Sequence, residues 1–305
     1  MTISVVIPFY NESESIKKTL ICMDKQEHTP NEVIFVDSGS TDNTAHIIAN
    51  HIKEFGKTNY RVVYCGEMSP SSSINKGIEE SHYKLIAYVD CGLDIPANWL
   101  KNNITIMEKD NCDMVSVRIK TTGCNIIDKS FISQTYGMSS ITKCLPGSLI
   151  KREIIINLGG FLSKTRASYD IDFINKINKN NYKRCMNNST VLSYFDVNYA
   201  TSFYKGARKV FSYSLNAWNV KGDYKPILYL TIMSIFVLAA IFDLLLYCII
   251  LYLIIRGYLI PYLKSRNIPY LNSLILLITI PMSGLIIDLS RSMGYLKSLI
   301  IHDKK

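Results

Sequence analysis

The sequence predicts an α/β fold, a doubly wound and mostly parallel sheet, followed by a C-terminal helical transmembrane region. Two observations support this prediction. Over residues 1–225, short unbroken apolar runs alternate with helical segments, which is the pattern of parallel strands buried on both faces. Beyond residue 225, two stretches stay apolar for the roughly 20 residues that a helix needs to cross a bilayer core about 30 Å thick.

Four apolar runs are predicted as the first strands of the sheet, and a helical segment follows each of the first three. The predicted strands cover residues 3–7, 32–37, 61–64 and 85–90, and residues 114–119 form a further one. Helical character is found over residues 13–26, around residues 47–52, and over residues 74–80 and 168–177. Residues 120–150 contain scattered glycines and a proline, and we expect them to be irregular.

An aromatic residue and two carboxylates lie at the predicted strand ends. Pro8 and Tyr10 come at the end of the first strand, Asp37 ends the second, and Asp90 ends the fourth. Because ligands of open α/β sheets bind at the carboxyl ends of the strands, we expect these side chains to share one crevice.

Five short motifs follow one another within residues 3–215. They are Val5-Val-Ile-Pro-Phe-Tyr-Asn-Glu12, Val36-Asp-Ser-Gly-Ser-Thr-Asp42, Tyr88-Val-Asp90, Gly159-Gly-Phe161 and Tyr169-Asp-Ile-Asp172. Their order and spacing resemble the family 2 inverting glycosyltransferases of the GT-A fold, in particular the membrane-anchored members with C-terminal transmembrane helices. The resemblance implies a hexosyltransferase of polysaccharide biosynthesis, with a cytoplasmic catalytic domain at residues 1–215 and a nucleotide-diphosphate sugar as donor.

The resemblance also implies a pocket for the nucleotide base, formed by Pro8, Tyr10 and Asp37 with Glu12 beside them. Tyr10 can stack on the base, and Asp37 can accept a hydrogen bond from a uracil N–H, so a UDP-sugar is expected. The alternative role of Asp37 is that of a turn former at the end of a strand. Asn75 matches a conserved donor-binding position of the family, but Ile74 occupies the place of the family's diphosphate-binding arginine.

The family's metal-binding Asp-x-Asp triplet reads Asp90-Cys91-Gly92 here, so its second acid is missing. The resemblance implies that Asp90 holds Mn²⁺ or Mg²⁺, a hard cation bound by carboxylate oxygen, with the diphosphate and water as further ligands. Asp94 is a possible second ligand, and a loop or helix-cap carboxylate is an equal interpretation.

An inverting transfer needs a general base that deprotonates the acceptor hydroxyl group. By resemblance this base is Asp170, although tyrosine stands where the family often has the preceding glutamate. Asp172 is the competing candidate, and the simpler interpretation is that both acids decorate the start of a helix.

The C-terminal part, residues 216–305, is expected to comprise a juxtamembrane segment, transmembrane helices at about 227–255 and 271–289, and a short cytoplasmic tail. Asp243 lies within the first stretch, where a helix break is an alternative. Basic residues before the first stretch and after the second outnumber those between them, which favours a cytoplasmic location of both ends in a plasma or inner membrane. The basic residues are Lys205, Arg208, Lys209, Lys221 and Lys225 before, Arg256, Lys264 and Arg266 between, and Arg291, Lys297, Lys304 and Lys305 after.

Eight cysteines without a CxxC pair argue against a zinc ribbon. With no recognisable signal peptide at Met1, we expect a reducing compartment and no disulfide framework. The net charge of +9 suits an anionic partner, expected to be the donor and a lipid-linked or glycan acceptor at the membrane, and not nucleic acid. The region of Asn216-Ala-Trp218 lacks the Gln-x-x-Arg-Trp motif of processive synthases, so transfer of a single sugar is expected. Two alternatives stay open, a non-catalytic scaffold of a glycan assembly complex and a polyprenyl-phosphate sugar transferase.

Overall fold

The computed structural model describes residues 1–194, 200–215, 220, 223–265 and 273–302. The chain divides into two compact units, Met1–Lys120 with Ile141–Tyr194, and Thr121–Ser140 with Phe195–Lys305. This division differs from the predicted boundary at residue 215, because residues 121–140 and 200–215 belong to the C-terminal unit. The Asn216-Ala-Trp218 segment and four of the basic residues used for the topology lie outside the described residues: Lys221, Arg266, Lys304 and Lys305.

The first unit is built on a seven-stranded sheet in the order β3-β2-β1-β4-β6-β5-β7. The strands are β1 (Ile3–Phe9), β2 (Glu32–Asp37), β3 (Tyr60–Tyr64), β4 (Leu85–Tyr88), β5 (Met114–Thr121), β6 (Ile141–Lys151) and β7 (Arg184–Tyr194). The pairs β1–β2, β1–β4 and β2–β3 are parallel, whereas β6 runs antiparallel to both β4 and β5. The predicted mostly parallel α/β sheet is thus confirmed.

Helices cover both faces of this sheet. They are α1 (Ile16–Asp24), α2 (Thr44–Glu54), α3 (Pro70–Glu79), α4 (Trp99–Asp110), α6 (Arg152–Asn157) and α7 (Tyr169–Lys179). The helix between β5 and β6, α5 (Ile126–Thr135), belongs to the second unit. Successive strand residues point to opposite faces. Val5 packs in one core cluster with Trp99 of α4, and Val6 packs in the other with Phe173 of α7. Both faces are buried, which explains the unbroken apolar strands.

Residues 120–150 contain more regular structure than expected. They contain α5 and the eleven-residue strand β6. Pro146 and Gly147 lie inside β6, where the pairing with β5 shifts register between Val115 and Val117. Gly147 has a φ of +89°, and a Cβ there would lie 2.6 Å from Val117. A bulge admits proline and glycine to a central strand, and local propensity does not reveal such a bulge.

Cys112 and Cys185 form a disulfide, with their Cα atoms 6.0 Å apart and 73 residues between them in sequence. A single pair is not the disulfide framework of a small secreted chain, but it was not expected in a reducing compartment. Cys112 follows α4 and Cys185 lies in β7, so the bond links two segments that only the tertiary fold brings together.

The second unit contains α5 and a series of mostly apolar helices. These are α8 (Phe203–Ser214), α9 (Lys225–Ile241), α10 (Leu245–Tyr252), α11 (Ile260–Ser265) and α12 (Leu274–His302), with a π-helical segment, Leu253–Leu259, joining α10 to α11. The predicted span at about 227–255 is not one helix. It breaks at Asp243, whose φ of +53° is a left-handed conformation that aspartate tolerates.

Two helices of this unit are long and apolar enough to cross a membrane, Leu245–Ser265 and Leu274–Ile300. Their number agrees with the prediction, but their bounds differ, because α9 is a shorter apolar helix and α12 continues well past residue 289. Only 17% of the first apolar window and 33% of the second are buried. Most of their large apolar side chains are therefore exposed, unlike those of a core helix in a soluble protein.

A buried polar network holds α5 to these helices. Arg256 donates to both carboxylate oxygens of Asp288, at 2.7 and 2.9 Å, and also to the side chain of Gln134 on α5. Gln134 in turn donates to the backbone oxygens of Arg256 and Ile280, at 3.0 and 2.9 Å. Tyr252 donates to Asp288 at 2.8 Å. Each charge and each amide of this network is thus matched within the apolar unit.

Candidate active site

The loops after β1 and β2 are joined by hydrogen bonds from short polar side chains. The Asn11 backbone N–H donates to Ser40 Oγ at 3.0 Å, and Thr41 N–H donates back to Asn11 Oδ1 at 2.8 Å. Asn11 has a φ of +55°, which asparagine tolerates in turns. The tight turn leaves the preceding residue, Tyr10, at the surface with 53% of its area exposed. Tyr10 is therefore accessible as a stacking surface.

Asp42 completes this junction. Its carboxylate accepts from the backbone N–H of Ser13 and of Thr44, each at 3.0 Å, and from the Thr44 hydroxyl at 2.5 Å. Desolvation acts to raise the pKa of Asp42, but these hydrogen bonds outweigh it and lower the pKa to about 2. Asp42, the last residue of the Val36–Asp42 motif, therefore joins the two loops and stays ionised.

Asp37 lies at the end of β2, beside Phe9 of β1 and Tyr64 of β3, and is only 5% exposed. Its Oδ1 accepts from the Ser40 backbone N–H at 2.8 Å, which is the turn-forming role considered above. Among the described residues, we find no hydrogen bond to its Oδ2. One oxygen thus shapes the turn, and the other is left for a ligand. Pro8, paired with Val36, is partly exposed nearby on β1.

Glu12 contacts the turn that follows β4. One of its carboxylate oxygens accepts from the Ser15 hydroxyl and would lie 4.0 Å from a Cβ placed on Gly92. Gly92 has a φ of +82°, and its backbone N–H donates to Thr19 of α1 at 2.8 Å. The structure therefore brings Glu12 close to the Asp90-Cys91-Gly92 turn.

Asp90 is held between two tyrosines. Tyr194 of β7 donates to Oδ2 at 2.6 Å, and Tyr88 of β4 donates to Oδ1. Burial raises the pKa of Asp90, the tyrosine hydrogen bonds oppose this shift, and the negative charge of Asp170 adds to it. The two acids thus lie close enough to interact electrostatically, as a shared site requires.

Asp170 lies in the first turn of α7 and is exposed, whereas Asp172 is 6% exposed. Asp172 forms an ion pair with Lys176 at 2.9 Å, one turn along the same helix. This pair occupies the carboxylate of Asp172, whereas the carboxylate of Asp170 is exposed.

Asn75 is hydrogen-bonded to the loop at Gly159–Phe161. Its amide nitrogen donates to the Phe161 backbone oxygen, and its oxygen accepts from the Phe161 N–H, both at 2.8 Å. A Cβ on Gly160 would lie 2.8 Å from this oxygen, so glycine is needed for the close approach. These bonds assign Asn75 to holding the Gly159–Phe161 loop, and they give no support to a direct contact with the donor.

Asp94 does not join Asp90. Its backbone pairs with Ser193 of β7, and its carboxylate lies 3.9 Å from Cys22 of α1. It lines a surface groove with two basic residues, Lys18 of α1 and Lys25 directly after this helix. Within the described ranges, no group of three potential metal-ligating side chains is found at the crevice. Asp90 is therefore the acid of this turn that could hold a divalent ion, in which case the remaining ligands would come from substrate and water, as hard cations accept.

Sequence reasoning missed two residues beside these acids. Tyr194 contacts Asp90 from 104 positions away. Burial raises the pKa of the Cys144 thiol, and the charges of Asp90 and Asp170 add to the shift, which places Cys144 near both. No sequence motif contains either residue, so only their spatial position identifies them.

Comparison with known proteins identifies the family of this chain. Residues 4–169, more than half of the chain, match the family described as glycosyl transferase family 2. The chain belongs to this family. The prediction of the family is therefore confirmed, and with it the class of enzyme, a glycosyltransferase.

Two curated relatives of this glycosyltransferase are similar over its N-terminal part. Glycosyltransferase AglE of Haloferax volcanii is 29% identical over 123 residues, 39% of this chain and 40% of AglE. The undecaprenyl-phosphate 4-deoxy-4-formamido-L-arabinose transferase of Serratia proteamaculans is 30% identical over 112 residues, 35% of this chain and 34% of the relative. The chain thus spans 40% or less of the length of these relatives.

Solved structures support the GT-A type fold. The mannosyltransferase PcManGT of Pyrobaculum calidifontis, in complex with GDP-Man and Mn²⁺, matches with a TM-score of 0.57 and 16% identity, covering 95% of this chain and 86% of that one. S. aureus TarS 1–349, in complex with UDP-GlcNAc, matches with a TM-score of 0.50 and 18% identity, covering 72% and 68%. At these identities the likeness concerns the fold.

Proposed function

We propose that this family 2 glycosyltransferase is an inverting enzyme that moves one sugar from a UDP-sugar to a hydroxyl group of a lipid-linked or glycan acceptor. The observation that carries the proposal is geometric: Tyr88 donates to Asp90, after β4, and its hydroxyl oxygen lies 3.1 Å from that of Tyr169, which precedes Asp170 at the start of α7. An acid on the side of the leaving group and an acid on the side of the acceptor are the two groups that such a transfer needs.

The donor would lie over the ends of β1 and β2. Tyr10 offers an exposed ring to the base, and the second oxygen of Asp37 can accept from a uracil N–H. Pro8 and Glu12 flank this position. Asp90 would hold a Mn²⁺ or Mg²⁺ ion, which would supply positive charge to the diphosphate leaving group.

Asp170 acts as the general base. It takes the proton from the acceptor hydroxyl group while that oxygen attacks the anomeric carbon from the face opposite the diphosphate. The bond between the anomeric carbon and the diphosphate oxygen breaks, and the nucleotide diphosphate leaves with the electron pair. The configuration at the anomeric carbon is inverted because the displacement is direct.

The second unit supports anchoring in a membrane. Its two long apolar helices expose most of their large side chains, as a surface facing lipid does. Four described basic residues precede or begin the first of the apolar helices, Lys205, Arg208, Lys209 and Lys225. Each basic residue near an anionic lipid surface contributes about 1 kcal/mol. We therefore propose a multi-pass protein of the plasma or inner membrane, a cytoplasmic catalytic unit and a lipid-linked acceptor.

The test is a screen of the purified full chain against nucleotide sugars, measured as release of nucleotide diphosphate with Mn²⁺ or Mg²⁺ present. A UDP-sugar should support release, with inverted configuration in the product. Calorimetry with UDP and Mn²⁺ provides the second arm. If neither turnover nor binding were detected, the enzymatic proposal would be contradicted and a non-catalytic scaffold would be favoured.

A second candidate follows from the similarity to the Serratia relative, whose name gives undecaprenyl phosphate as acceptor. In that reaction, the attacking oxygen belongs to a lipid phosphate instead of a sugar hydroxyl group. Thin-layer analysis of radiolabelled lipid products separates the two. A product formed from polyprenyl phosphate alone supports the second candidate, whereas a requirement for a lipid-linked saccharide supports the first.

A further inference from the structure

Four side chains form a chain of hydrogen bonds across the crevice. Tyr194 donates to Asp90 Oδ2 at 2.6 Å, Tyr88 donates to Asp90 Oδ1, and the hydroxyl oxygens of Tyr88 and Tyr169 are 3.1 Å apart. Tyr169 is the first residue of α7 and immediately precedes Asp170. The chain therefore runs from β7, through the carboxylate after β4, to the helix that bears Asp170.

The direction of each bond follows from the number of hydrogens. A phenol has one O–H hydrogen, and an ionised carboxylate has none. Because Tyr88 uses its hydrogen on Asp90, the bond between the two phenols must be donated by Tyr169. Every hydrogen in the chain thus points toward Asp90.

The aromatic rings behind these hydroxyl groups are fixed by the Gly159–Phe161 loop. Phe161 is buried, and its ring centroid lies 6.3 Å from that of Tyr88 and 6.2 Å from that of Tyr169. Asn75 holds the Phe161 backbone through two hydrogen bonds of 2.8 Å. The Gly159–Phe161 motif therefore has a structural role, because its phenylalanine packs against both tyrosine rings.

We propose that Tyr88, Tyr169 and Tyr194 are positioning residues, which fix the single metal-binding carboxylate of Asp90 and couple it to the helix of the general base. This inference rests on the proposed function of Asp90. The turn Asp90-Cys91-Gly92 carries only one acid, and Asp94 is directed elsewhere. A lone carboxylate ligand depends on its outer hydrogen bonds for orientation. Since a carboxylate has about four lone-pair positions, two phenol donors leave room for an ion.

The two ends of the chain should differ in effect. Tyr194→Phe removes a direct donor to Asp90, and loss of such an outer partner weakens metal binding by about tenfold or more. Tyr169→Phe leaves both donors of Asp90 in place but cuts its link to α7. We expect Mn²⁺ affinity within about twofold of wild type for Tyr169→Phe, and a several-fold lower kcat at saturating Mn²⁺, because the base is less well positioned. Both changes keep the aromatic ring and its packing.

The experiment measures Mn²⁺ binding to the full chain with UDP, from the electron paramagnetic resonance signal of free Mn²⁺, and kcat in parallel. Tyr182→Phe is the matched control, because this tyrosine packs against the same core at the opposite end of α7. Wild-type Mn²⁺ affinity in Tyr194→Phe, or equal effects of all three variants, would overturn the inference. Absence of UDP-dependent Mn²⁺ binding by the wild type would instead contradict the proposed role of Asp90, so the two failures are distinguishable.

Discussion

Asp170→Asn should abolish sugar transfer while donor binding survives. Asparagine has nearly the same shape as aspartate but cannot accept the proton of the acceptor hydroxyl group. General-base catalysis contributes about 10²–10⁴-fold, so kcat should fall at least about a hundredfold, or about 2.7 kcal/mol in the barrier. The side chain is exposed in the first turn of α7, where loss of a negative charge costs about 0.3–1 kcal/mol of stability. Unfolding therefore does not account for the expected loss.

The electrostatics of the site predict where the loss will be seen. The charge of Asp170 raises the pKa of Asp90, so its removal lowers the pKa of Asp90 and favours the ionised form that binds a cation. Donor and metal binding should therefore not weaken, and the whole effect should fall on kcat.

The assay compares initial rates of UDP release with calorimetric binding of UDP and Mn²⁺. The matched control is Asp172→Asn, which alters only the ion pair with Lys176 on the same helix. Asp172 is buried, so its substitution costs some stability, but it removes no exposed carboxylate of the site, and the folded control should keep most of its kcat. If Asp170→Asn retained more than a tenth of the wild-type kcat, or if Asp172→Asn were the inactive variant, the assignment of the base would be refuted.

Three further predictions concern the donor pocket and the two units. Asp37→Ala should raise the donor KM by about 10- to 100-fold, because a hydrogen bond to a charged group contributes about 1.5–3 kcal/mol. Asp42→Ala is the comparison, because it removes only hydrogen bonds at the junction of the two loops. Equal donor KM values for the two variants would contradict the base pocket. Glu32 accepts from Ser4, His82 and Arg61, and these bonds outweigh desolvation and lower its pKa to about 2 from 4.5, so its stabilisation is complete above pH 4.5 and is lost as pH falls toward 2. Thermal unfolding between pH 6 and 3 should show this loss in the wild type and not in Glu32→Gln. Gln134→Leu should lower the free energy of unfolding in detergent by about 2–4 kcal/mol. The buried Arg256 side chain and two backbone oxygens each lose the hydrogen bond that Gln134 makes with them. An unchanged melting temperature would argue against the network.

Much of the first unit could be predicted from local sequence. Residues 32–37 form the predicted strand with the predicted bounds, because a run buried on both faces is unbroken in hydrophobicity. Asp37 and Asp90 were expected near the strand ends, and the structure places them there. The failures lie where distant contacts override local signals. Pro146 and Gly147 suggested an irregular segment, yet pairing with β4 and β5 makes a strand.

The candidate site was predictable only in part, for the same reason. A motif supplied Asp170, but the contact that distinguishes it from Asp172 is an ion pair on the folded helix. Asn75 matched a motif, and the structure gives it the Phe161 backbone as a partner. No sequence pattern indicated Tyr194, because it is 104 residues away in sequence from Asp90, to which its hydroxyl group donates a hydrogen bond.

By itself, the order of residues determined the family, the sheet with its covering helices, and the acids after the strands. These properties depend on hydrophobic periodicity and on residues that are neighbours in sequence, and both are visible in the sequence itself. Only the tertiary structure decided which hydroxyl groups surround Asp90, where Asp94 is directed, that Cys112 pairs with Cys185, and that the first apolar stretch breaks at Asp243. All but the last depend on distances between groups far apart in the chain, and the break at Asp243 depends on a backbone conformation that the apolar composition around it conceals.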